Sequence, residues 1–309
     1  MSKIKTFITC TPRNAVAANQ PQFSPKQVAS ALQASESSVK RWCDQGAIST
    51  IRTVGGHRKI TLDALQHFLR SSNRPLIAPQ ALGLSANRVA TEGMIPGGQD
   101  HDQKLFRTAL AQGDEDACRR ILRMRVGLGA SRSEAADFLI TDAMHGIGEA
   151  WDCHRVDAYQ ERRGCEICTR LLGELRSELP PMPASAPVAL GGTLSGDPYQ
   201  LPTALVELSL RESGWDAMNL GSNLPAESLL RAVSDHRPRL VWLSVSSIED
   251  ADQFVRQENL LAEKIGDDVA LLIGGRGLTD EIRPKLRYTA HCDSLRNLVD
   301  FAFMMRMQG

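Results

Sequence analysis

Residues 191–215 read GGTLSGDPYQLPTALVELSLRESGW. They give the end of a strand, a polar loop and a helix carrying Leu201, Leu205, Leu208 and Leu210. A strand that passes into a helix through such a loop begins a βαβ unit, and open parallel sheets bind ligands outside the carboxyl ends of their strands. The same alternation continues outward from this stretch. PVALGGTLSG, DAMNLG, LVWLSVSS, VALLIGG and TAHCD are strand candidates, separated by amphipathic runs such as ADQFVRQENLLAEKIG. Continuous apolar strands imply helices on both faces, so residues 187–309 are expected to form a doubly wound parallel sheet. The strand ends at Ser195, Ser244 and Gly274 are expected to line one crevice.

Towards the N-terminus, residues 102–180 carry a helical pattern throughout: LFRTALAQG, DEDACRRILRMRVGLG, SRSEAADFLITDAMHGIGEAW and DAYQERRGCEICTRLLGELRSEL. Four helices with short connections predict a four-helix bundle, with Ser131 or Ser133 capping the third helix and Gly129 ending the second. Cys165 and Cys168 lie at i and i+3 beside Ile167, Leu171 and Leu172. A metal site needs further ligands at compatible spacing, so these thiols read as buried small hydrophobes and no metal is expected. His154 beside Cys153 carries no more weight.

A chain of 309 residues with 42% apolar content supports two or three domains and excludes a chain dominated by low-complexity disorder. No run approaches the ~18 apolar residues of a membrane span, and the first residues lack the apolar centre of a secretory signal. A cytoplasmic protein without a membrane partner is expected. The seven cysteines are odd in number and scattered, which favours reduced thiols over a disulfide framework. Zero net charge conceals an asymmetry: residues 1–75 hold eleven Lys or Arg against three Asp or Glu. That basic part is the candidate polyanion binder. Proline and small residues at 71–100 and 180–187 read as linkers, giving domains at 1–75, 102–180 and 187–309 with a linker at 76–101.

Within the basic part, Ser24 is a candidate N-cap with Pro25 at the first helical position, and Val28, Ala31 and Leu32 share one face. A break at Gln33 and Ala34 leads to Ser35 as a second cap; Val39 and Trp42 then point inward while Ser37, Ser38, Lys40 and Arg41 stay outside. IRTVGGHRKITLDALQHFL predicts a hairpin turning at Gly55 and Gly56, then a helix from near Thr61 that buries Leu62, Leu65 and Leu69. Trp42 reads as core, and His67 carries no functional reading. Two short helices at a turn present the second to the major groove, and the hairpin makes a wing. These features resemble the winged helix-turn-helix domains of the MerR and excisionase type, over about residues 21–70, and RTVGGHRKI closely resembles their wing signature. The resemblance implies that double-stranded DNA is contacted by Ser37, Ser38, Lys40 and Arg41 of the second helix and by Arg52, His57, Arg58 and Lys59 of the wing.

A helix bundle followed by such a sheet, with SVS after the third strand and GG after the fourth, resembles the cobalamin-binding module. With the N-terminal unit, nearly the whole chain resembles the MerR-like, cobalamin-type light-responsive repressors, and the fold class implied is multidomain α and α/β with a Rossmann-like sheet. In that family an Asp-x-His-x-x-Gly loop supplies a histidine that ligates cobalt from below. Asp197 matches its first residue, but Tyr199 stands at the histidine and Pro202 at the glycine. A second signature, a tryptophan followed after nine residues by Glu-His, supplies the upper ligand. Trp151 and Glu161 match it, and Arg162 replaces the histidine. A guanidinium stays protonated and a phenol is a poor partner for cobalamin, so neither substitute serves as a cobalt ligand. The resemblance still implies that the crevice has room for a nucleotide tail, with Ser244, Ser246, Gly274 and Gly275 giving close backbone access. Pro202 makes that insertion harder. Without a ligand role, Tyr199 is a loop aromatic and Asp197 caps the following helix.

The resulting expectation is a DNA-binding transcription regulator, a repressor, assembled as a homodimer or homotetramer. Its cobalamin-type module would act without cobalamin, as an oligomerisation scaffold or as a sensor of another ligand. A working cobalamin or tetrapyrrole sensor is the alternative, and a corrinoid carrier protein the weaker one. No catalytic constellation or Walker-type loop appears, so no enzyme is expected.

Overall fold

A computed structural model describes residues 22–52, 56–72, 74, 76–82, 99–152 and 157–306. Expectations that fall on Cys10, Gly55, Cys153 and His154 lie outside the described residues. The first unit comprises β1 (Gln22–Phe23), α1 (Pro25–Ala31), α2 (Glu36–Asp44), β2 (Ile51–Arg52), β3 (Arg58–Thr61) and α3 (Leu62–Ser71). Ser24 caps α1 in a reciprocal capping box with Gln27, and Ser35 caps α2 by accepting from Ser38 N. The antiparallel sheet runs β1-β3-β2, with Ile51 opposite Lys59 and Arg52 opposite Arg58, which is the wing hairpin. Val28, Ala31, Val39, Leu62, Leu65 and Leu69 form its core. Trp42 is only half-buried: its ring lies 5.0 Å from Phe68, and the Arg74 guanidinium stacks over it at 4.7 Å.

The segment expected as linker begins as packed structure. Leu76 is buried, its N–H donates to Thr289 O at 3.3 Å, and a short 3-10 turn at Pro79–Leu82 buries Leu82. Ile77 N and Ala78 N both donate to Ala31 O, the last residue of α1. These few residues tie the winged unit to the sheet edge.

The bundle comprises α4 (Gln99–Gln112), α5 (Glu115–Gly127), α6 (Arg132–Ala136), α7 (Asp142–Asp152) and α8 (Ala158–Ser177), with a π-helical turn at Asp137–Thr141 joining α6 to α7. The third expected helix is thus one rod with a widened turn, at DFLIT, where no Gly or Pro marks it. Such insertions are rare and gather at functional sites.

The C-terminal unit comprises β4 (Val188–Gly192), α9 (Leu201–Glu212), β5 (Asp216–Asn219), α10 (Ala226–His236), β6 (Leu240–Ser244), α11 (Ala251–Lys264), β7 (Ala270–Gly274), β8 (Ala290–His291) and α12 (Leu295–Arg306). Its sheet runs β5-β4-β6-β7-β8, parallel throughout. The two faces have separate cores. Ala189, Trp242 and Leu272 pack with α9 and α12, while Leu190, Val241, Leu243 and Ile273 pack with α10 and α11. Helix α9 is buried on almost every side because it serves two layers: Val206 and Leu210 face the sheet, and Leu205 and Leu208 join the bundle core. Its Glu212 accepts from Arg132 N (2.8 Å), Ser133 N (2.9 Å) and Ser133 Oγ (2.6 Å), capping α6 from outside the bundle. The strand order reverses between β4 and β6, and a crevice opens there at the carboxyl ends.

Candidate functional site

The crevice has a volume of about 1150 Å3 and lies between the bundle and the strand ends. Glu161 and Arg162, near the start of α8, reach it from above; Tyr199, Ser244, Ser246, Gly274 and Gly275 reach it from below. Candidates separated by more than a hundred residues of sequence therefore meet at one site. Trp151 lies in α7. Ser195 is not among the lining residues: its N–H donates to Leu224 O, pairing the loop after β4 with the loop after β5.

Asp197 does not cap α9, contrary to expectation. The N-terminus of that helix is Gln200, with no side-chain cap bond. Asp197 is 4% exposed and ties two loops together, accepting from Ser246 N (2.6 Å), Ser247 N (3.3 Å) and Tyr199 N (3.1 Å). Burial raises its pKa, and these N–H donors oppose the rise. The loop geometry is therefore set by a carboxylate that turns away from the crevice. Tyr199 is left 38% exposed at the mouth, with the Arg276 guanidinium 5.9 Å from its ring centroid.

Gly274 and Gly275 line the crevice, but their lack of side chains serves the protein backbone. A Cβ on Gly274 would stand 2.5 Å from Cys292 O, and one on Gly275, where φ is +127°, would stand 2.2 Å from Val245 O. Close packing of neighbouring strands and loops requires both glycines, whatever the crevice holds.

Sequence reading missed several walls of the site. Asp137, in the π-helical turn, lines the crevice and accepts from Thr141 Oγ1 at 2.9 Å; burial raises its pKa. His145 on α7 and His291 on β8 also line it. Burial holds His291 towards its neutral form, against the pull of Asp293, 3.2 Å from its Nδ1. Only the π-turn and the parallel order of β7 and β8 bring these groups in, and neither has a local sequence mark. Cys165 faces the crevice with its thiol pKa raised by burial, while Cys168 is buried in the bundle core.

The candidate DNA face has its own internal commitments. Ser37, Arg41, Arg52 and His57 are exposed. Lys40 pairs with Glu36 at 2.8 Å, and Ser38 Oγ lies 2.9 Å from the cap hydroxyl of Ser35. Arg58 bridges wing and helix: its guanidinium binds Asp44 at 2.7 Å and donates to Lys40 O at 3.3 Å. Lys59 is half-buried on the same strand. Among the described helices none is long and apolar enough to cross a membrane, and the described residues hold no cluster of metal-ligating side chains.

Two family models match the chain: a B12 binding domain over residues 187–295 and a helix-turn-helix domain over residues 23–73. No curated protein sequence matches it. Among solved structures, the Methanosarcina barkeri monomethylamine corrinoid protein is 15% identical over 67% of this chain and 100% of its own, with a TM-score of 0.55, a likeness of fold. A cobalamin-binding protein from Desulfitobacterium hafniense DCB-2 is 18% identical over 68% of this chain and 100% of its own, at a TM-score of 0.36. The methanol:cobalamin methyltransferase complex of Methanosarcina barkeri is 14% identical over 72% of this chain and 86% of its own, at 0.35.

Proposed function

We propose that the protein is a transcription regulator, a repressor rather than an enzyme, whose winged unit binds operator DNA while the bundle and sheet form a ligand-sensing or oligomer-forming module that works without a protein–cobalt bond. A helix-turn-helix match and a B12 binding domain match on one chain support a DNA-binding cobalamin-type regulator. The observation that carries the finer reading is the crevice itself. The two positions that would ligate cobalt both point to it, and they supply a guanidinium, Arg162, and a phenol, Tyr199. Arg carries no lone pair to give, and the Tyr199 ring stacks near Arg276. The imidazoles that face the crevice come from other elements, and Nδ1 of His291 is engaged by Asp293. At the two positions that the family resemblance singles out, the donors present therefore do not fit a histidine-ligated cobalamin.

Leu76 and its neighbours support coupling between the two functions. The backbone that pairs with Thr289 also binds the end of α1, and His291 at the crevice lies two residues further along. A ligand with differential affinity for two arrangements of that edge would bias the winged units of an assembled dimer or tetramer.

The B12 domain match favours one competing reading, a cobalamin sensor. Mixing the full-length protein with adenosylcobalamin in the dark, followed by gel filtration and an absorption spectrum, separates the two. The proposal expects no stoichiometric corrin bands with a histidine-ligated spectrum. Their co-elution would establish the sensor. A corrinoid carrier would show no salt-dependent binding to duplex DNA, whereas a regulator loses affinity steeply as salt rises.

A further inference from the structure

Two imidazoles line the crevice, one from each side, and one of them is prepared to bind a metal. His145 comes from α7 on the bundle side; it is exposed and has no hydrogen bond among the described residues. His291 comes from β8 on the sheet side. Asp293 Oδ1 stands 3.2 Å from its Nδ1, and burial favours the neutral ring. A carboxylate at one ring nitrogen fixes the tautomer and leaves the lone pair on the other, which is how metal-bound histidines are held. Nε2 makes no hydrogen bond and is not among the polar atoms sealed away from solvent. A neutral, oriented imidazole with an open lone pair therefore borders the crevice. A bare ion would find too few partners, since the described residues hold no group of three metal-ligating side chains. A metal that brings four equatorial donors of its own needs only one more. The space is also large, about 1150 Å3 against the ~300–1,000 Å3 of ordinary small-ligand pockets, with apolar walls at Ile140, Met144, Leu201 and Leu205.

The charges on the walls select further. Arg162, Arg276 and Arg283 all line the crevice. Arg162 has no ion pair among the described residues, and Arg276 has the Tyr199 ring and no ion pair. Arg283 pairs with Asp280 but keeps a buried Nε without an acceptor. Of the four carboxyl groups on the same walls, Asp293, Asp137 and Glu166 are engaged by His291, Thr141 and Arg170, which leaves Glu161. Guanidinium donors in excess of uncommitted carboxylates favour a ligand with acidic groups of its own.

We propose that the crevice takes an iron porphyrin, with His291 Nε2 as its axial ligand from the sheet side and the porphyrin carboxylates on the arginines of the rim. This rests on the ligand-sensing reading above and names its ligand class. The imidazole lone pair displaces the water or hydroxide on ferric haem, and no electron is transferred. The test titrates the full-length protein with haemin, metal-free protoporphyrin IX and hydroxocobalamin, read by difference absorption and gel filtration. The expected result is one haemin per chain with an imidazole-ligated spectrum, and protoporphyrin bound at least about tenfold more weakly. His291→Gly is expected to lose that spectrum and to regain it when free imidazole is added, while His145→Ala keeps it. Should the glycine variant not fold, His291→Gln is expected to lose the spectrum likewise. Arg276→Ala with Arg283→Ala is expected to weaken haemin about tenfold with the spectrum unchanged. Haemin that is not retained, equal affinity for haemin and protoporphyrin, or an imidazole-ligated spectrum that survives loss of His291 overturns this inference alone. Retention of hydroxocobalamin with a spectrum that depends on His291 overturns the cobalt-free reading as well.

Discussion

In the winged unit Lys40, Arg41, Arg52 and Arg58 are all present, and folding spends two of them internally, Arg58 on Asp44 and Lys40 on Glu36. In the crevice Arg162 of the bundle and Tyr199 of the sheet loop come together, bringing a guanidinium and a phenol to one site. One region commits part of its charge to its own fold; the other gathers side chains from distant elements around one space. The contrast shows what holds each region. The crevice is framed by internal hydrogen bonds: Asp197 between two loops, Glu212 at the start of α6, and Trp242 to Thr203. Such a frame needs no metal bond, because apolar burial and internal hydrogen bonds supply its stability.

The largest expected effect comes from the indole between α9 and the sheet. Trp242→Ala is expected to cost about 3–5 kcal/mol by denaturant unfolding, through lost burial and the cavity left behind. Next comes pH. Glu258 on α11 is fully buried and accepts from Arg287 N; burial pushes its pKa from 4.5 up to about 8, against those N–H bonds. A folded-state pKa above the unfolded value means that the contribution is complete below 4.5 and is lost as pH rises through 8. Stability is therefore expected to fall by up to about 1.4 kcal/mol per pH unit across that window, and Glu258→Gln to flatten the profile. A Glu258→Gln variant with an unaltered pH profile would remove Glu258 from this account.

A smaller effect tests the joint between bundle and sheet. Glu212→Ala leaves Arg132 N and Ser133 N without acceptors, and about 1–3 kcal/mol is expected to be lost. Smallest in stability are the changes on the DNA face, where affinity is the readout. Arg41→Ala is expected to weaken binding to all duplexes and to lower the salt slope by about 1. Arg58→Ala is expected to weaken binding to all DNA with the fold intact, but through a wing released from α2, so Asp44→Ala should weaken it too. If Asp44→Ala binds like the unaltered protein, Arg58 acts directly on phosphate.

Local rules made much of this fold legible. Ser24, Ser35 and Ser131 cap the helices expected of them, and all five strands of the parallel sheet fall within the apolar runs that named them. The two-sided burial of α9 was half visible, since a leucine-rich helix needs cover but does not say from where. The remainder depends on tertiary partners. The π-helical turn at Asp137 has no breaker residue, the brace of Arg58 needs Asp44 from another element, and the buried station of Asp197 needs the amides after β6. Trp242 reads as an ordinary strand apolar residue until Gly191 and Thr203 are seen against it.

In the proposed regulator, DNA binding is governed without a cobalt bond. It is tested most directly by fluorescence anisotropy with a duplex that the protein itself selects from a random pool, titrated at about 50 and about 200 mM salt. Each titration is run without and with adenosylcobalamin, in the dark and after illumination. Tight, strongly salt-dependent binding that neither cobalamin nor light changes by more than about twofold is the expected result. An order-of-magnitude change in affinity on adding cobalamin, reversed by light, would contradict it.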